Sequence, residues 1–223
     1  MRLFIAEKPS VAKAIAAELG NVTRAEGYLQ CGADRVTWCF GHILEMAKPE
    51  HYGEQYAKWR AEDLPIIPQV WALLPKEDAK AQLAVIGRLL KDTTEVVNAG
   101  DPDREGQLLV DEVLEHFKNR RDVKRFWVSA QDSVSIQRGL AALKSNKGYQ
   151  GLKDAALARQ RADWLIGMNF SRAYTLRAQR GGARADWLRA RRCGLGHLDV
   201  VVHHLHGGGP LLGAVGADEL LQV

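Results

Sequence analysis

Three acidic side chains stand at alternate positions in the segment VVNAGDPDREGQLL, which spans residues 96–109. Asp101, Asp103 and Glu105 follow a short apolar run, and Gly100 permits a sharp exit from that run. Carboxylates crowded into one turn repel each other, and a hard divalent cation relieves the repulsion. Mg²⁺ suits such a turn because it takes one or two carboxylates and completes its shell with water and phosphate oxygens.

The same acidic pattern has a purely structural interpretation. The apolar residues after Gly106 recur at helical spacing, and acidic residues at the start of a helix interact favourably with its dipole. A surface turn that leads into a helix would therefore also carry these residues. The choice between a metal site and a surface turn depends on a second charged feature.

The second feature is the pair Glu7 and Lys8 in the N-terminal segment MRLFIAEKPSVAKAIAAEL. Residues 3–6 form a short apolar run that predicts a strand, while Pro9 and Ser10 suit the start of a helix. The charged pair therefore projects from the end of a strand. Open α/β sheets bind their ligands at the carboxyl ends of their strands.

A strand, a charged pair, a helix and a later strand ending in DPDRE form the layout of a Toprim domain. With the segments TWCFGHILE, LPIIP and AGDPDREGQLLVDEVL, the chain resembles the N-terminal part of the bacterial topoisomerase III family of type IA DNA topoisomerases. The resemblance runs from Met1 to about Gly182. It implies an α/β fold with a mostly parallel sheet flanked by helices in a Toprim domain over residues 1–150. The start of an α-helical DNA-binding domain would follow over residues 151–182.

The resemblance also implies a reaction, namely Mg²⁺-dependent cleavage of single-stranded DNA, strand passage and religation. Glu7 and Lys8 are the implied catalytic residues. Glu7 would give a proton to the leaving 3′-oxygen, and Lys8 would stabilise charge on the phosphate. The implied ligands of Mg²⁺ are Glu7, Asp101, Asp103 and Glu105.

Two segments are expected to meet single-stranded DNA. Trp59 lies in the proline-rich, aromatic segment 48–75 and would stack on an unpaired base. Packing of Trp59 over the core is an equally open interpretation. In the second segment, the resemblance implies DNA contacts by Arg159, Asp163, Trp164 and Arg172.

Positive charge is concentrated at the C-terminal side. Residues 1–150 contain 21 basic and 21 acidic residues, whereas residues 151–223 contain 10 and 6, which accounts for the whole formal charge of +4. A basic segment beside a carboxylate site favours a phosphodiester substrate, although a solvated helix face would carry similar charges. Asp163 has its own alternative, since it can pair with Arg159 one helical turn away.

The remaining patterns alternate between strands and helices, which predicts a mostly parallel sheet covered by helices. His42 follows the second strand of a predicted hairpin and is interpreted either as structural or as a phosphate contact. The predicted elements are strands Tyr28–Cys31, Val36–Phe40 and Arg125–Ser129 and helices Ala79–Leu90 and Val134–Lys144.

Several classes of protein are disfavoured. The longest apolar runs are too short for a bilayer, and charges stand where a signal peptide would be apolar, so we expect a cytoplasmic, nucleoid- or plasmid-associated bacterial protein without membrane partners. Cys31, Cys39 and Cys193 lack metal-ligand spacing and are interpreted as reduced thiols. No GxxxxGK motif occurs, which argues against ATP-driven function. The sequence leaves the oligomeric state open.

The resemblance ends near Gly182, and the composition then changes. Residues 181–223 hold 9 of the 21 glycines and 4 of the 7 histidines. We expect residues 183–223 to be a poorly ordered tail from a truncated or frameshifted reading frame, standing where the family has its tyrosine-bearing gate domain. His203, His204 and His206 would bind metal only adventitiously.

No nucleophilic tyrosine is assigned, because none of the five tyrosines has the surrounding motif of the family. The chain by itself is therefore expected to be inactive in DNA relaxation. Two alternatives stay open beside the topoisomerase. One alternative is an inactive Toprim fragment that binds Mg²⁺ and single-stranded DNA. The other is a phosphotransferase of the Toprim primase or nuclease kind.

Overall fold

A computed structural model describes residues 1–180, 188–192 and 198–202 of the chain. Strands and helices alternate through most of this part. In chain order the elements are β1 (Arg2–Ala6), α1 (Pro9–Leu19), β2 (Val22–Ala25), β3 (Tyr28–Cys31), β4 (Asp34–Trp38), β5 (Leu44–Met46), β6 (Leu73–Pro75), α2 (Lys80–Lys91), β7 (Glu95–Ala99), α3 (Arg104–His116), β8 (Val123–Arg125), α4 (Ser133–Ala141), β9 (Lys144–Ser145), α5 (Gln150–Arg180), β10 (Leu188–Arg192) and β11 (Leu198–Val202).

The main sheet has seven strands in the order β2-β3-β4-β1-β7-β8-β9. Its four central strands, β4, β1, β7 and β8, are parallel, and antiparallel strands extend it at both edges. The expected α/β fold with helices flanking a sheet is therefore confirmed. Ala6 is paired with Ala99 at the carboxyl ends of β1 and β7, so the chain leaves both strands at the same level.

Alternate residues of β1 pack into separate cores on the two faces of the sheet. Leu3 and Ile5 belong to a cluster that includes buried residues of α2 and α3, whereas Phe4 and Ala6 belong to a cluster with α1. All four side chains are fully buried. Burial on both faces explains why this strand reads as a continuous apolar run in the sequence.

The predicted bounds of the strand Arg125–Ser129 are wrong, because the observed strand lies earlier in the chain. The observed β8 ends at Arg125, because its partner β7 ends at Ala99 and the last bond of this edge runs from Phe126 N to Asn98 O at 2.9 Å. Residues 127–129 continue beyond the sheet.

The second strand of the predicted hairpin also lies earlier than expected. Asp34 pairs with Cys31 across a two-residue turn, and its carboxylate accepts hydrogen bonds from the backbone and side chain of Arg2. These bonds hold Asp34 in the sheet, so β4 begins there rather than at Val36. The strand β2 was not predicted from the sequence.

The chain divides into two compact units, one of residues 1–46 and 72–159 and one that begins with residues 47–71 and 160–180. In the second unit, Asn169 of α5 binds both backbone groups of Ile66, at 2.5 Å to its nitrogen and 2.9 Å to its oxygen. This single side chain thus fastens the proline-rich segment to the helix. Most of the expected tail, including His203, His204 and His206, lies outside the described residues, while β10 and β11 pair as an antiparallel ribbon.

Candidate active site

The charged pair and the acidic turn meet at one edge of the sheet. β1 ends before Glu7 and β7 ends before Gly100, and the two strands are adjacent and in register. The backbone N–H of Asp101 donates a hydrogen bond of 3.2 Å to Oε2 of Glu7. Parallel pairing therefore brings together the two features that lie far apart in the sequence.

Lys8 completes this cluster as its cation. Its Nζ lies 2.7 Å from Oδ2 of Asp101, and this contact is the main reason that the pKa of Lys8 is raised. The pKa of the Glu7 carboxyl is also raised, first by burial and then by the negative charge of Asp101. The nearby charge of Asp103 acts in the same direction. Glu7 thus holds a proton more readily than an ordinary glutamate.

Asp103 and Glu105 occupy different places in the turn that follows. Asp103 caps α3, with its Oδ1 accepting a hydrogen bond of 2.7 Å from Gly106 N, and the residue is exposed. Glu105 lies in the first turn of α3, half exposed, with Oε1 4.0 Å from Nε of Arg104. This helix cap corresponds to the purely structural role that the acidic pattern also predicted, at the start of a helix. It uses one oxygen of Asp103 and leaves its second oxygen for a ligand.

Two glycines make the acidic turn possible. A Cβ at Gly100 would collide with the carbonyl oxygen of Gly106, and a Cβ at Gly106 would lie 2.6 Å from the nitrogen of Asp101. Backbone atoms cannot withdraw from such contacts as a flexible side chain can. The first turn of α3 therefore packs directly on the backbone that carries Asp101.

Arg125 supports the same turn from inside the protein, and sequence reasoning missed it. Its side chain is fully buried, with bonds of 2.8 Å to Gly100 O and 2.7 Å to Asp101 O. Its Nε donates to Gln107 Oε1 at 2.7 Å, and further bonds reach the carbonyls of Asn98 and Phe126. Burial lowers the pKa of Arg125 to about 10. The sequence offers no distinctive signal for this role, because Arg125 directly follows Lys124 in a basic stretch that also contains Arg120 and Arg121.

The charge that Arg125 brings into the core is matched by Asp111, which is itself fully hydrogen-bonded. Asp111 accepts from Asn98 at 3.1 Å, Gln107 at 2.7 Å and Asn146 at 2.9 Å. Its negative charge opposes the lowering of the arginine pKa. Buried charges persist when they are paired and hydrogen-bonded in this way, so the acidic turn rests on a satisfied polar network.

A cleft of about 160 Å³ opens beside the acidic turn. It lies between residues 99–103, after β7, and residues 126–131, after β8, and Val11 and Ile136 contribute apolar walls. Asp101 and Asp103 are among its lining residues. The cleft therefore offers room for a small group at the carboxyl end of the sheet, where α/β proteins bind ligands.

The residues suit a hard cation in type but are not gathered into a closed ligand set. Among the described residues, no three histidine, cysteine or acidic side chains stand in metal-binding arrangement. Nevertheless, Asp101 and Asp103 both raise the pKa of Glu7, which reveals an excess of negative charge at this point. Lys8 balances part of that charge from 2.7 Å. Carboxylate oxygens of this kind are the ligands that Mg²⁺ prefers.

The residues expected to meet DNA lie in different environments. Trp164 is buried, with Nε1 donating to Ala47 O at 3.0 Å. Arg172 is 4% exposed and donates to Tyr56 O at 2.8 Å. Trp59 is 45% exposed, and the guanidinium carbon of Arg172 lies 5.1 Å from its ring centroid. Of these three side chains, Trp59 alone is available for stacking on a base.

The two remaining predicted DNA residues, Arg159 and Asp163, lie one helical turn apart on α5, and both are partly buried. Two of the cysteines, Cys31 and Cys39, are free and buried, and burial raises the pKa of Cys39 to about 12. Cys193 lies outside the described residues. Within the described ranges, no helix combines the length and apolar character required to cross a membrane.

The chain is similar to known proteins of one family. The Toprim domain model matches residues 2–131. The chain is 49% identical over 187 residues to DNA topoisomerase 3 of Vibrio cholerae, a match that covers 81% of the chain and 29% of that protein. DNA topoisomerase 3 of Staphylococcus epidermidis is 38% identical over 175 residues, covering 78% and 25%. The chain thus spans less than a third of the length of these relatives.

A solved structure shares the fold. The full-length topoisomerase I from Thermotoga maritima aligns with 76% of the chain and 25% of its own length, with a TM-score of 0.51. The sequence identity is 20%, so this likeness concerns the fold alone.

Proposed function

The chain belongs to the Toprim domain family, and on that premise we propose that its acidic site serves Mg²⁺-dependent cleavage and religation of single-stranded DNA, as part of a type IA DNA topoisomerase. The observation that carries this proposal is the cluster of Glu7, Lys8 and Asp101. It joins a carboxyl of raised pKa to an amine within 2.7 Å of a carboxylate.

Glu7 acts on the leaving oxygen in the proposed reaction. When a tyrosine attacks the phosphodiester, the 3′-oxygen of the departing strand needs a proton. A carboxyl whose pKa is raised above its ordinary value carries such a proton in a larger fraction of molecules, and it returns to the base form for religation. Burial and the charge of Asp101 provide that shift.

Lys8 acts on the phosphate. Its side chain is 45% exposed, so the ammonium is accessible to a substrate while it stays close to Asp101. An ammonium held beside the reacting phosphate stabilises the negative charge that develops during transesterification. The contact with Asp101 supports this role, because it holds the ammonium beside the acidic turn.

Asp101 and Asp103 would hold Mg²⁺ together with Glu7, and Glu105 would close the shell. When bound, the ion supplies positive charge that fixes the 3′ end of the cleaved strand. The free oxygen of Asp103 and the excess negative charge around Glu7 support this assignment. The first turn of α3 carries Glu105 to the same edge of the sheet.

Single-stranded DNA is the proposed partner, and Trp59 is its proposed stacking contact. The guanidinium of Arg172 covers one face of the Trp59 indole, and the opposite face is left for a base. Stacking of a base on an aromatic side chain is worth about 1–3 kcal/mol per base. Arg159 and Asp163 are proposed to lie near the same single strand of DNA. The buried environments of Trp164 and Arg172 favour a supporting role, in which Arg172 backs the ring of Trp59.

This chain, assayed alone, is proposed to bind DNA without relaxing it. None of its five tyrosines has the surroundings of the family nucleophile. A plasmid assay with Mg²⁺ tests this directly, and relaxation by rigorously purified chain would place a nucleophile among these tyrosines.

The experiment that tests the site is the binding of a fluorescent single-stranded oligonucleotide with and without Mg²⁺. We compare the wild type with two double variants. The site variant carries both Asp101→Ala and Asp103→Ala. The control variant carries both Glu77→Ala and Asp78→Ala, which alter an exposed acidic pair before α2. Mg²⁺ is expected to strengthen binding by the wild type and the control but not by the site variant. An equal response to Mg²⁺ in all three proteins would contradict the proposal.

A further inference from the structure

Two neighbouring carboxylates of α3 are buried, and they are treated differently by the fold. Asp111 has three amide partners, as described above. Glu112 is 2% exposed, yet its Oε1 has no hydrogen-bond partner within the described part of the chain. A buried carboxylate without partners costs several kcal/mol. The fold therefore retains at Glu112 a polar group that it does not fully satisfy.

The group that faces Glu112 is His42. Nδ1 of His42 lies 3.4 Å from Oε2 of Glu112, and this nitrogen is also buried without a hydrogen-bond partner among the described residues. The side chain of His42 is nevertheless 31% exposed. Its accessible surface therefore lies away from Nδ1. One edge of the ring faces a buried carboxylate, and another part of the ring can meet a ligand.

The backbone places His42 beside the candidate active site. After β4, Cys39 N donates to Ala6 O at 2.8 Å and Gly41 N donates to Glu7 O at 3.3 Å. The chain from Cys39 to Gly41 thus follows the end of β1, and His42 is the next residue. His42 thus directly follows Gly41, whose backbone N–H donates to the backbone carbonyl of Glu7.

We propose that Glu112 is a positioning residue, which orients His42 so that its exposed ring nitrogen, Nε2, meets a phosphate of the bound DNA strand. In this arrangement Nδ1–H of His42 donates a hydrogen bond to Oε2 of Glu112, after a small movement of the imidazole ring that shortens the present 3.4 Å separation. In neutral histidine the proton on Nδ1 leaves Nε2 as an acceptor, and in charged histidine Nε2 is a donor to phosphate. The DNA part of this inference rests on the proposed function, whereas the orientation of His42 does not.

The proposal explains why a poorly satisfied carboxylate is tolerated at residue 112. A Glu112 that served packing alone would be replaced without loss by an apolar side chain of similar length, because such replacements of buried charges are often neutral or stabilising. A Glu112 that orients His42 cannot be replaced in this way without changing the histidine. The two roles thus predict different outcomes for Glu112→Met.

Nuclear magnetic resonance of the histidine ring nitrogens tests the orientation without DNA. At about pH 8, where histidines are usually neutral, the wild type is expected to carry the His42 proton on Nδ1. Glu112→Gln retains an acceptor oxygen and should preserve this tautomer, whereas Glu112→Met should lose it. A wild-type proton on Nε2, or an unchanged tautomer in Glu112→Met, would overturn the proposal.

Oligonucleotide affinity tests the second half of the proposal. Glu112→Met and His42→Ala are each expected to weaken binding about tenfold, the loss of roughly one charge-assisted hydrogen bond. The double variant should be no weaker than either single one, because both remove the same contact. Additive losses, or full affinity in Glu112→Met, would contradict positioning through His42.

The two readouts separate this inference from the proposed function. If the wild type binds no oligonucleotide, the proposed function fails, and the orientation of His42 is judged by the tautomer alone. Urea unfolding of each variant identifies losses that come from instability. If Glu112→Met is unstable, the wild-type tautomer and the affinity of Glu112→Gln, expected to stay within about threefold of wild type, still decide the outcome.

Discussion

The backbone amide of Asp101 donates to the carboxylate of Glu7, although the two residues are 94 positions apart in the chain. The bond links the ends of β1 and β7 at the carboxyl edge of the sheet. It holds a partly buried glutamate next to an aspartate, and the partial burial, followed by the charge of Asp101, raises the pKa of Glu7. The site is thus built at the expense of local electrostatic stability, which has measurable consequences.

Replacing Glu7 with glutamine should stabilise the protein at neutral pH. Because the pKa of Glu7 is raised on folding, the folded state binds this proton more tightly than the unfolded state. Stability therefore falls as pH rises from the ordinary glutamate pKa of about 4.3 through the folded value. Glu7→Gln removes that fall, so its advantage over wild type should be present at about pH 7 and should shrink toward about pH 4.

Urea unfolding at these two pH values measures the effect. Glu26→Gln is the matched control, since Glu26 is exposed. A Glu7→Gln variant that gains nothing at neutral pH relative to this control would show that the burial of Glu7 is not costly.

Removing the Lys8 ammonium should increase the affinity of the site for Mg²⁺. Lys8 lies 2.7 Å from Asp101 and competes with a metal for the same carboxylate. A solvent-exposed charge pair is worth up to about 1 kcal/mol, which corresponds to roughly fivefold in affinity. Calorimetric titration of Lys8→Gln with Mg²⁺ measures the change.

Lys13→Gln is the control for this titration, because Lys13 is an exposed lysine of α1. It should leave Mg²⁺ binding close to wild type. Equal affinities in Lys8→Gln and Lys13→Gln would mean that Lys8 and the metal do not share Asp101.

Arg125→Met should destabilise the protein strongly. Methionine fills similar space but leaves the carbonyls of Gly100 and Asp101 without their donors and Asp111 without its buried countercharge. Breaking a buried charged network of this kind costs about 3–5 kcal/mol. Urea unfolding should show this loss, and the Mg²⁺ response of oligonucleotide binding should disappear with the acidic turn.

The exposed Arg138 of α4 provides the comparison for Arg125. Arg138→Met is expected to change the free energy of unfolding by less than about 0.5 kcal/mol. Similar small losses in the two variants would remove Arg125 from its supporting role.

Trp59→Ala should weaken binding of single-stranded DNA by about 1–3 kcal/mol, the value of one stacked base. Trp127→Ala serves as the control, because Trp127 is 37% exposed and stacked on Tyr149 but is not assigned to DNA. Anisotropy titrations at one fixed salt concentration compare the two. If both variants bind like wild type, the aromatic segment does not contact the strand.

Local patterns in the sequence determined most of the elements near the site. Continuous apolar residues identified β1, a proline identified the start of α1, and apolar spacing identified α3. These signals are strong because each arises within a few residues, from burial on two faces, from the fixed φ of proline or from helical periodicity. The motifs EKPS and DPDREG likewise identified the family before any contact was known.

Only the tertiary structure decided which groups support the site. Arg125 is an ordinary strand residue in the sequence, and its role depends on β8 lying next to β7, which turns its side chain under the acidic turn. The pairing of His42 with Glu112 depends on the packing of α3 against the segment after β4. Similarly, burial of Trp164 and Arg172 follows from contacts with residues more than 100 positions away. Such contacts leave no local periodicity, so the sequence alone specified the candidate reacting groups, while tertiary packing specified which residues orient and support them.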